Sequence, residues 1–462
     1  MPFTRRTFLL GAGTGMSLLV LAACTGPEPE PTLTPVPPTP RESVPEPSQL
    51  WRSNWTKDPL SRGAVSYLPV GSNPEDRAAL RSRLDDRVFF AGEATSEAPG
   101  TVRGAAQSGA RAAREVMDAM ADQDRVAIIG AGAAGAEAAR TLTARGIDVI
   151  VIEARDRVGG RIDSREDDGV FFELGAWKLA VDADDSVIAD VDAVPLEGAV
   201  TVPVSEGLVT ATLADVDAAH QGMSAQLSTW AVEQSTADID IETGLSDSGL
   251  AATDTTVGDI PAQTVVLSFV EAARIATGAN PTDISTWFPP TAIGEPSAIP
   301  TGQLSSVVSG SLGDVPLALS TAVTAVAYDD DGVSLRLSTG ESRSVDRVIV
   351  TVPLGVLKAG AIEFDPPLPL PMRSAIDAVG FGQVEVVRVA FDDPFWDTDA
   401  AVWSLVGGDA EIATWINLVP LTGEAVLLGI AGGDGAAALT ELGDDALSQM
   451  VRRLLAPFVA QT

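Results

Sequence analysis

DRVAIIGAGAAGAEAARTLTARGIDVIVIEARDRVGGR, residues 124–161, decides the fold of this chain. Val126 to Ile129 is a continuous apolar run, as a strand buried on both faces of a parallel sheet requires. Gly130, Gly132 and Gly135 follow at G-x-G-x-x-G spacing. The first glycine permits a tight turn, the second lets a pyrophosphate approach the backbone, and the third lets the following helix pack on the strand. That helix is predicted from about Ala133 to Arg145, with Gly146 as its C-terminal stop. A second strand, Val149 to Ile152, ends at Glu153, which lies 23 positions after Gly130. An acid near that offset binds ribose hydroxyls and repels a 2′-phosphate, so FAD or NAD is favoured over NADP. Strand, glycine turn, helix, strand and acid in this order predict a dinucleotide site.

The continuation separates the two cofactors. Ala154-Arg155-Asp156-Arg157-Val158-Gly159-Gly160-Arg161 resembles the extended flavin-binding motif of the flavin amine oxidases. That family includes monoamine oxidases, polyamine oxidases, lysine-specific histone demethylases and L-amino-acid oxidases. The resemblance implies that Arg155 and Arg161 contact FAD.

The 462 residues suffice for two or three domains with real cores. Formal net charge is −34, with 64 acidic against 30 basic residues. Phosphate backbones need clustered positive charge, so nucleic acid is excluded as a partner. An acidic surface can draw in cationic amines or simply keep the protein soluble outside the cell.

Residues 1–24 read as an export signal. Thr4-Arg5-Arg6-Thr7-Phe8-Leu9 resembles a twin-arginine motif, and a weakly apolar stretch follows, interrupted by glycines at 11, 13 and 15. Leu21-Ala22-Ala23-Cys24 resembles a lipoprotein cleavage box, which implies a lipid anchor on Cys24 in the membrane of a bacterial cell. Cys24 is the only cysteine, so an intramolecular disulfide or a cysteine-built metal site is impossible. Twin-arginine export suits a protein that loads a cytoplasmic cofactor before crossing. Residues 25–48 are rich in proline and are predicted as an extended spacer.

A further segment occupies an unexpected place. Trp55-Thr-Lys-Asp58-Pro59, Arg62-Gly63-Ala-Val-Ser66-Tyr67, Val88-Phe-Phe90-Ala91-Gly92-Glu93-Ala94-Thr95 and Gly100-Thr101-Val102-Arg103-Gly104 resemble the carboxy-terminal flavin-binding segment of the family. There the segment comes last; here it precedes Gly130. A circular permutation is the simplest account, and it requires the end of the body to lie beside residues 49–55. A helix from about Thr101 to Met120 would then feed, through residues 121–124, into the first strand. By the resemblance Glu93, Thr101 and Val102 are FAD contacts. The helix N-terminus would face the flavin edge that becomes anionic on reduction.

Phe171-Phe-Glu173-Leu-Gly175-Ala176-Trp177-Lys178 resembles the next flavin-lining loop and implies contacts from Trp177 and Lys178. The resemblance fades from about 180 to 298. His220, the sole histidine, reads as a packing or surface residue. From Thr301 the family pattern returns, and Val323 matches a backbone contact to adenine. Thr351-Val-Pro353-Leu-Gly355-Val-Leu-Lys358, followed by Phe364-Asp-Pro366-Pro367, resembles the crossing into the substrate domain. The resemblance places Lys358 near flavin N5 through a water. The chain has only three lysines, at 57, 178 and 358, and one set beside Val356 and Leu357 can be desolvated and exchange protons.

The expected fold is therefore α/β: a Rossmann-like FAD-binding domain of glutathione-reductase type plus an α+β substrate domain, circularly permuted. The expected layout is FAD-binding residues 49–180 (a permuted segment 49–120, then 124–180) and 298–355, with substrate-domain residues 181–297 and 356–462. The implied function is oxidation of an amine or amino acid to an imine by hydride transfer to FAD, with O2 reduced to H2O2. With no cysteine near Gly63, FAD would be noncovalent. The aromatic walls of many relatives map to Ala64 or Val65 and near Ala98, none of them aromatic. A desaturase or isomerase on FAD, or an anchored flavoprotein for binding or electron transfer, remain as alternatives.

Overall fold

A computed structural model describes residues 43–121, 123–167, 169–181, 191–234, 237–290, 293–407 and 410–460. The expected signal peptide, Cys24 and most of the proline-rich spacer lie outside the described residues.

Val88–Phe90, Arg125–Ile129, Asp148–Ile152, Leu317–Ala318 and Arg347–Val350 form one parallel five-stranded sheet. Its spatial order is 317, 148, 125, 347, 88, naming each strand by its first residue. The 125–129 and 347–350 strands are buried along almost their whole length, which explains their uninterrupted apolar sequences. Helix Ala133–Thr143 follows the central strand, and helix Val102–Ala119 lies against it. Their approach depends on glycine: a Cβ at Gly109 would stand 2.0 Å from the Ala134 carbonyl oxygen. A Cβ at Gly135 would stand 2.0 Å from the Gly130 carbonyl oxygen, so this glycine sets the helix onto its strand as its spacing predicts.

A mixed seven-stranded sheet forms the second centre. Its order is Gln49–Arg52, Val384–Ala390, Val426–Gly432, Thr414–Asn417, Val402–Ser404, Ala199–Val204 and Gly207–Thr212. The 384–390 strand shows how the sheet is sandwiched. Val384 and Val386 pack with helix Ala262–Thr277, whereas Val387 and Val389 pack with helices Gly433–Thr440 and Asp444–Leu455. Residues two apart share a face, so one strand serves both cores.

Two features differ from the expected domain layout. Gln49–Arg52, assigned to the flavin-binding part, is the edge strand of the seven-stranded sheet. Glu363–Asp365, assigned to the substrate part, instead joins a four-stranded sheet with Val323–Asp329, Gly332–Leu337 and Ser342–Val345. The reason is local pairing: Trp51 finds its register partner in Arg388, and Phe364 finds Val326.

The final helix meets the start of the described chain. Arg452 Nε donates to the Val44 carbonyl at 3.1 Å, Arg452 Nη1 pairs with Glu46 at 2.8 Å, and Val44 is buried beside Phe458 and Leu455. Among the described residues no helix is long and apolar enough to cross a membrane.

Candidate functional site

The parallel strands end at a cavity of about 450 Å³. Its walls include the residues just past four strand ends: Gly92 and Glu93, Gly130, Glu153, and Thr351. This is where an open parallel sheet binds ligands, beside the point at which the strand order reverses.

The glycine turn forms one side. Gly130 has φ +107°, a conformation that suits glycine. Glu153 is buried, and its Oε2 accepts from Ala131 N at 2.7 Å while Oε1 accepts from Arg155 N at 2.7 Å. The acid thus braces the glycine turn as well as facing the cavity. Arg155 Nη2 pairs with Asp58 at 2.6 Å and donates to Ser61 Oγ at 3.0 Å. Thr321 N donates to the Glu153 carbonyl at 2.8 Å, which brings the loop before Val323 against the same side. Val323 itself lines the wall.

The segment ahead of the glycine turn forms the other side. Thr101 caps the 102–119 helix, its Oγ1 accepting from Gly104 N at 2.9 Å, and both Thr101 and Val102 reach the cavity. Two helix N-termini, at Thr101–Val102 and Gly132–Ala133, therefore face one space, and each favours negative charge. Glu93 accepts from Ser66 Oγ at 2.7 Å, Gly100 N at 2.9 Å and Arg161 Nη1 at 3.1 Å. Burial opposes its ionisation, but Arg161, Ser66, Arg77 and the Gly100 N–H together hold its carboxyl below the usual range. Its bonds make it a buried structural anion as well as a cavity residue.

The remaining wall comes from elsewhere in the chain: Trp177, Lys178, Ile275, Ala276, Val384 and Val386, with Ala64 and Val65. Gln383-Val384-Glu385-Val386 alternates in the sequence, but the strand is buried on both faces, so the alternation does not mark which residues meet a cavity. Burial pushes the Lys178 ammonium below the usual lysine range, against the pull of Asp217 and Glu295. Asp217 is raised to about 6 by burial, which Lys178 only partly offsets.

One predicted residue is misplaced. Lys358 does not line the cavity; it is exposed, and its Nζ donates to the Asp377 carbonyl at 3.0 Å. Asp377 lies in the last turn of helix Leu370–Ala378, where a cation is favoured by unpaired carbonyls and the helix dipole. Arg274, the residue considered for clamping an amino-acid carboxylate, meets Glu271 at 3.5 Å and does not line the cavity either. His220 packs edge-on to Phe269, bonds Ser268 Oγ at 2.8 Å, and is lowered to about 4 by burial.

The model of the family described as flavin containing amine oxidoreductase matches residues 32–117, 133–223 and 287–461. The chain belongs to that family. Among similar proteins, Polyamine oxidase 4 of Oryza sativa subsp. japonica is 27% identical over 348 residues, 69% of each chain. Lysine-specific histone demethylase 2 of Homo sapiens is 28% identical over 357 residues, 70% of this chain but 42% of its own length. A solved structure of a putrescine oxidase variant, from a redesign of its cofactor binding, covers 73% of this chain and 82% of its own. It aligns at TM-score 0.56 and 21% identity, a likeness of fold.

The protein is an FAD-dependent amine oxidoreductase. The cavity fits FAD. A Cβ at Gly132 would meet nothing nearer than the Gly159 carbonyl oxygen at 3.7 Å, so the turn is left open toward the ligand rather than filled by protein. The helix ends there suit a pyrophosphate, and Glu153 suits a ribose. The lone cysteine at 24 leaves no thiol near Gly63 for a covalent link.

Proposed function

We propose that this flavoenzyme oxidises a primary or secondary amine, or an amino acid, to an imine, with O2 as acceptor and H2O2 as product. The observation that carries the reading is the meeting of two helix N-termini on a cavity whose wall also includes the apolar Ile275, Ala276, Val384 and Val386. FAD supplies the chemistry by accepting the hydride from the substrate α-carbon. Val384, Val386, Ile275 and Ala276 exclude water from the reacting end. Lys178 is the cavity's lysine among the described residues; burial disfavours its charged form, and we assign it the role of taking the proton from an incoming ammonium. The net charge of −34 raises the local concentration of cationic substrates. Two relatives bear the names polyamine oxidase and putrescine oxidase, so diamines and polyamines head the substrate panel.

The test is peroxide release by FAD-loaded protein across polyamines, simple primary amines and amino acids. Peroxide with an amine supports the proposal. Anaerobic bleaching without peroxide points to electron transfer instead, and no bleaching with any member of the panel sinks it.

We also infer that the segments are circularly permuted. Support comes from the sheet: if counting starts at Arg125 and Val88–Phe90 comes last, the spatial order becomes 3-2-1-4-5, the doubly wound arrangement. Arg452 on Val44 and Glu46 supplies the adjacent ends that permutation needs. The same proposal includes export by residues 1–24 and a lipid on Cys24, with the enzyme held outside the cytoplasm. A Cys24→Ser variant then moves from the membrane fraction to the soluble one.

A further inference from the structure

A second cavity, of about 270 Å³, lies beside the first, and Trp177 stands in the wall of both. Its lining is largely apolar, with Phe171, Phe172, Ile299, Leu418 and Leu428. Into these surroundings the 384–390 strand sends Arg388, a side chain only 4% exposed. The placement follows from strand geometry. Val384 and Val386 line the first cavity; Arg388, on the same face, lies one pleat or about 7 Å further along. Leu428 is its register partner on the adjoining strand.

Arg388 is under-used. Among the described residues its polar contacts are Gln49 Oε1 at 3.5 Å and Asp167 Oδ2 at 4.0 Å, the second too long for a hydrogen bond. Its guanidinium carbon lies 4.4 Å from the Phe172 ring centroid. A guanidinium carries five N–H donors in a planar fork, and a buried charge is costly unless they are matched. The flavin cavity makes no use of it. The fork matches a carboxylate, to which it can donate two parallel hydrogen bonds. Glu173 also reaches the wall; its Oε1 accepts from Ser164 Oγ and Leu304 N, its Oε2 has no partner among the described residues, and burial raises it to about 7, which limits its competition as an anion. Asp167 and Glu424 stand near enough to disfavour a dianion.

We propose that this second cavity binds a small monocarboxylate with an aromatic or branched aliphatic body, its carboxylate on Arg388 and its hydrocarbon against Phe172, Trp177 and Leu428. The volume suits a ligand smaller than the drug-sized molecules that fill roughly 300–1,000 Å³. An occupant touches Trp177 and so presses on a wall of the substrate cavity.

The experiment is isothermal titration of FAD-loaded protein with 3-phenylpropanoate, beside its neutral amide, 3-phenylpropanamide. The heat signal needs no turnover, so it is independent of whether amines are oxidised. One-to-one binding at least tenfold tighter for the carboxylate is expected, with the visible flavin bands unchanged. Arg388→Leu should abolish it. Leu428→Phe, which fills the cavity and keeps the charge, should weaken it at least tenfold and decides the matter if the arginine variant does not fold. Absence of saturable binding, binding that survives the variants, or displacement of the carboxylate by an amine that perturbs the flavin bands overturns the proposal.

Discussion

Arg161 Nη1 lies 3.1 Å from Glu93 Oε1, joining two cavity-lining segments 68 residues apart. The carboxylate is almost fully buried and the guanidinium largely so. Removing one partner of such a pair leaves the other charge uncompensated. Glu93→Gln should therefore destabilise the fold by roughly 3 kcal/mol and release flavin, read by thermal unfolding and by the visible-to-ultraviolet absorbance ratio after gel filtration. The folded carboxyl titrates below its ordinary value of 4.5, so its contribution is present at neutral pH and is lost as pH falls through the folded value. The gap between wild type and variant should close only in strong acid.

Glu173 gives the opposite slope. Burial raises it to about 7, despite hydrogen bonds from Ser164 and Leu304 N. The folded state then holds a proton that the unfolded chain releases near 4.5, so stability is lost as pH rises from there to about 7. Glu173→Gln keeps an acceptor for both donors and removes this loss. Its advantage over wild type should grow across that window by on the order of 3 kcal/mol, measured as unfolding midpoints at a series of pH values.

Lys358→Met should leave kcat/KM within about twofold of wild type, because the residue is exposed and caps a neighbouring helix. Lys178→Met should lower kcat by about tenfold or more, and should flatten the acid arm of the pH–rate profile, where a general base is lost by protonation. Steady-state oxidation of one amine by both variants checks the pair. Equal losses would return Lys358 to the chemistry.

Gly109→Ala forces a Cβ to within 2.0 Å of the Ala134 backbone oxygen, and no flexible side chain can yield there. Overpacking of this kind costs about 1–3 kcal/mol or more, and here it also tilts both helix N-termini away from the cavity. Flavin affinity should fall with stability. A variant that melts lower but holds flavin normally would show that the helix ends do not bind it.

Relinking tests the segment order. Joining Ala460 to Val44 through a short glycine-serine linker, with new ends opened between Ala121 and Asp124, should give a yellow, folded protein. Circular dichroism and flavin absorbance check it; an insoluble or colourless product would count against the permutation.

The glycine turn and helix ends at the cavity were legible because their geometry is backbone geometry. Glycines at 130, 132 and 135, the capping Thr101 and the braced Glu153 act through turns and helix ends, which local sequence specifies. The apolar part of the cavity wall was not legible. Val384 and Val386 belong to a strand, VEVVRVA, with buried residues on both faces, and only tertiary packing decides which face meets a cavity. Lys358 misled for a related reason: of the apolar neighbours that suggested its desolvation, Val356 is buried and Leu357 half-buried, yet the long side chain turns outward to the end of another helix. Arg388 carried no signal at all, since a charge in a strand gives no indication of what it will be enclosed by.

The pairing of Val88–Phe90 with Arg347–Val350 sets a schedule for biosynthesis. The first strand of the parallel sheet leaves the ribosome some 260 residues before its hydrogen-bonding neighbour, a delay on the order of tens of seconds. During that interval Val88, Phe89 and Phe90 are an unprotected hydrophobic edge on a nascent chain. Cofactor capture therefore belongs to the closing stage of translation, and a free supply of FAD at that moment competes directly with aggregation.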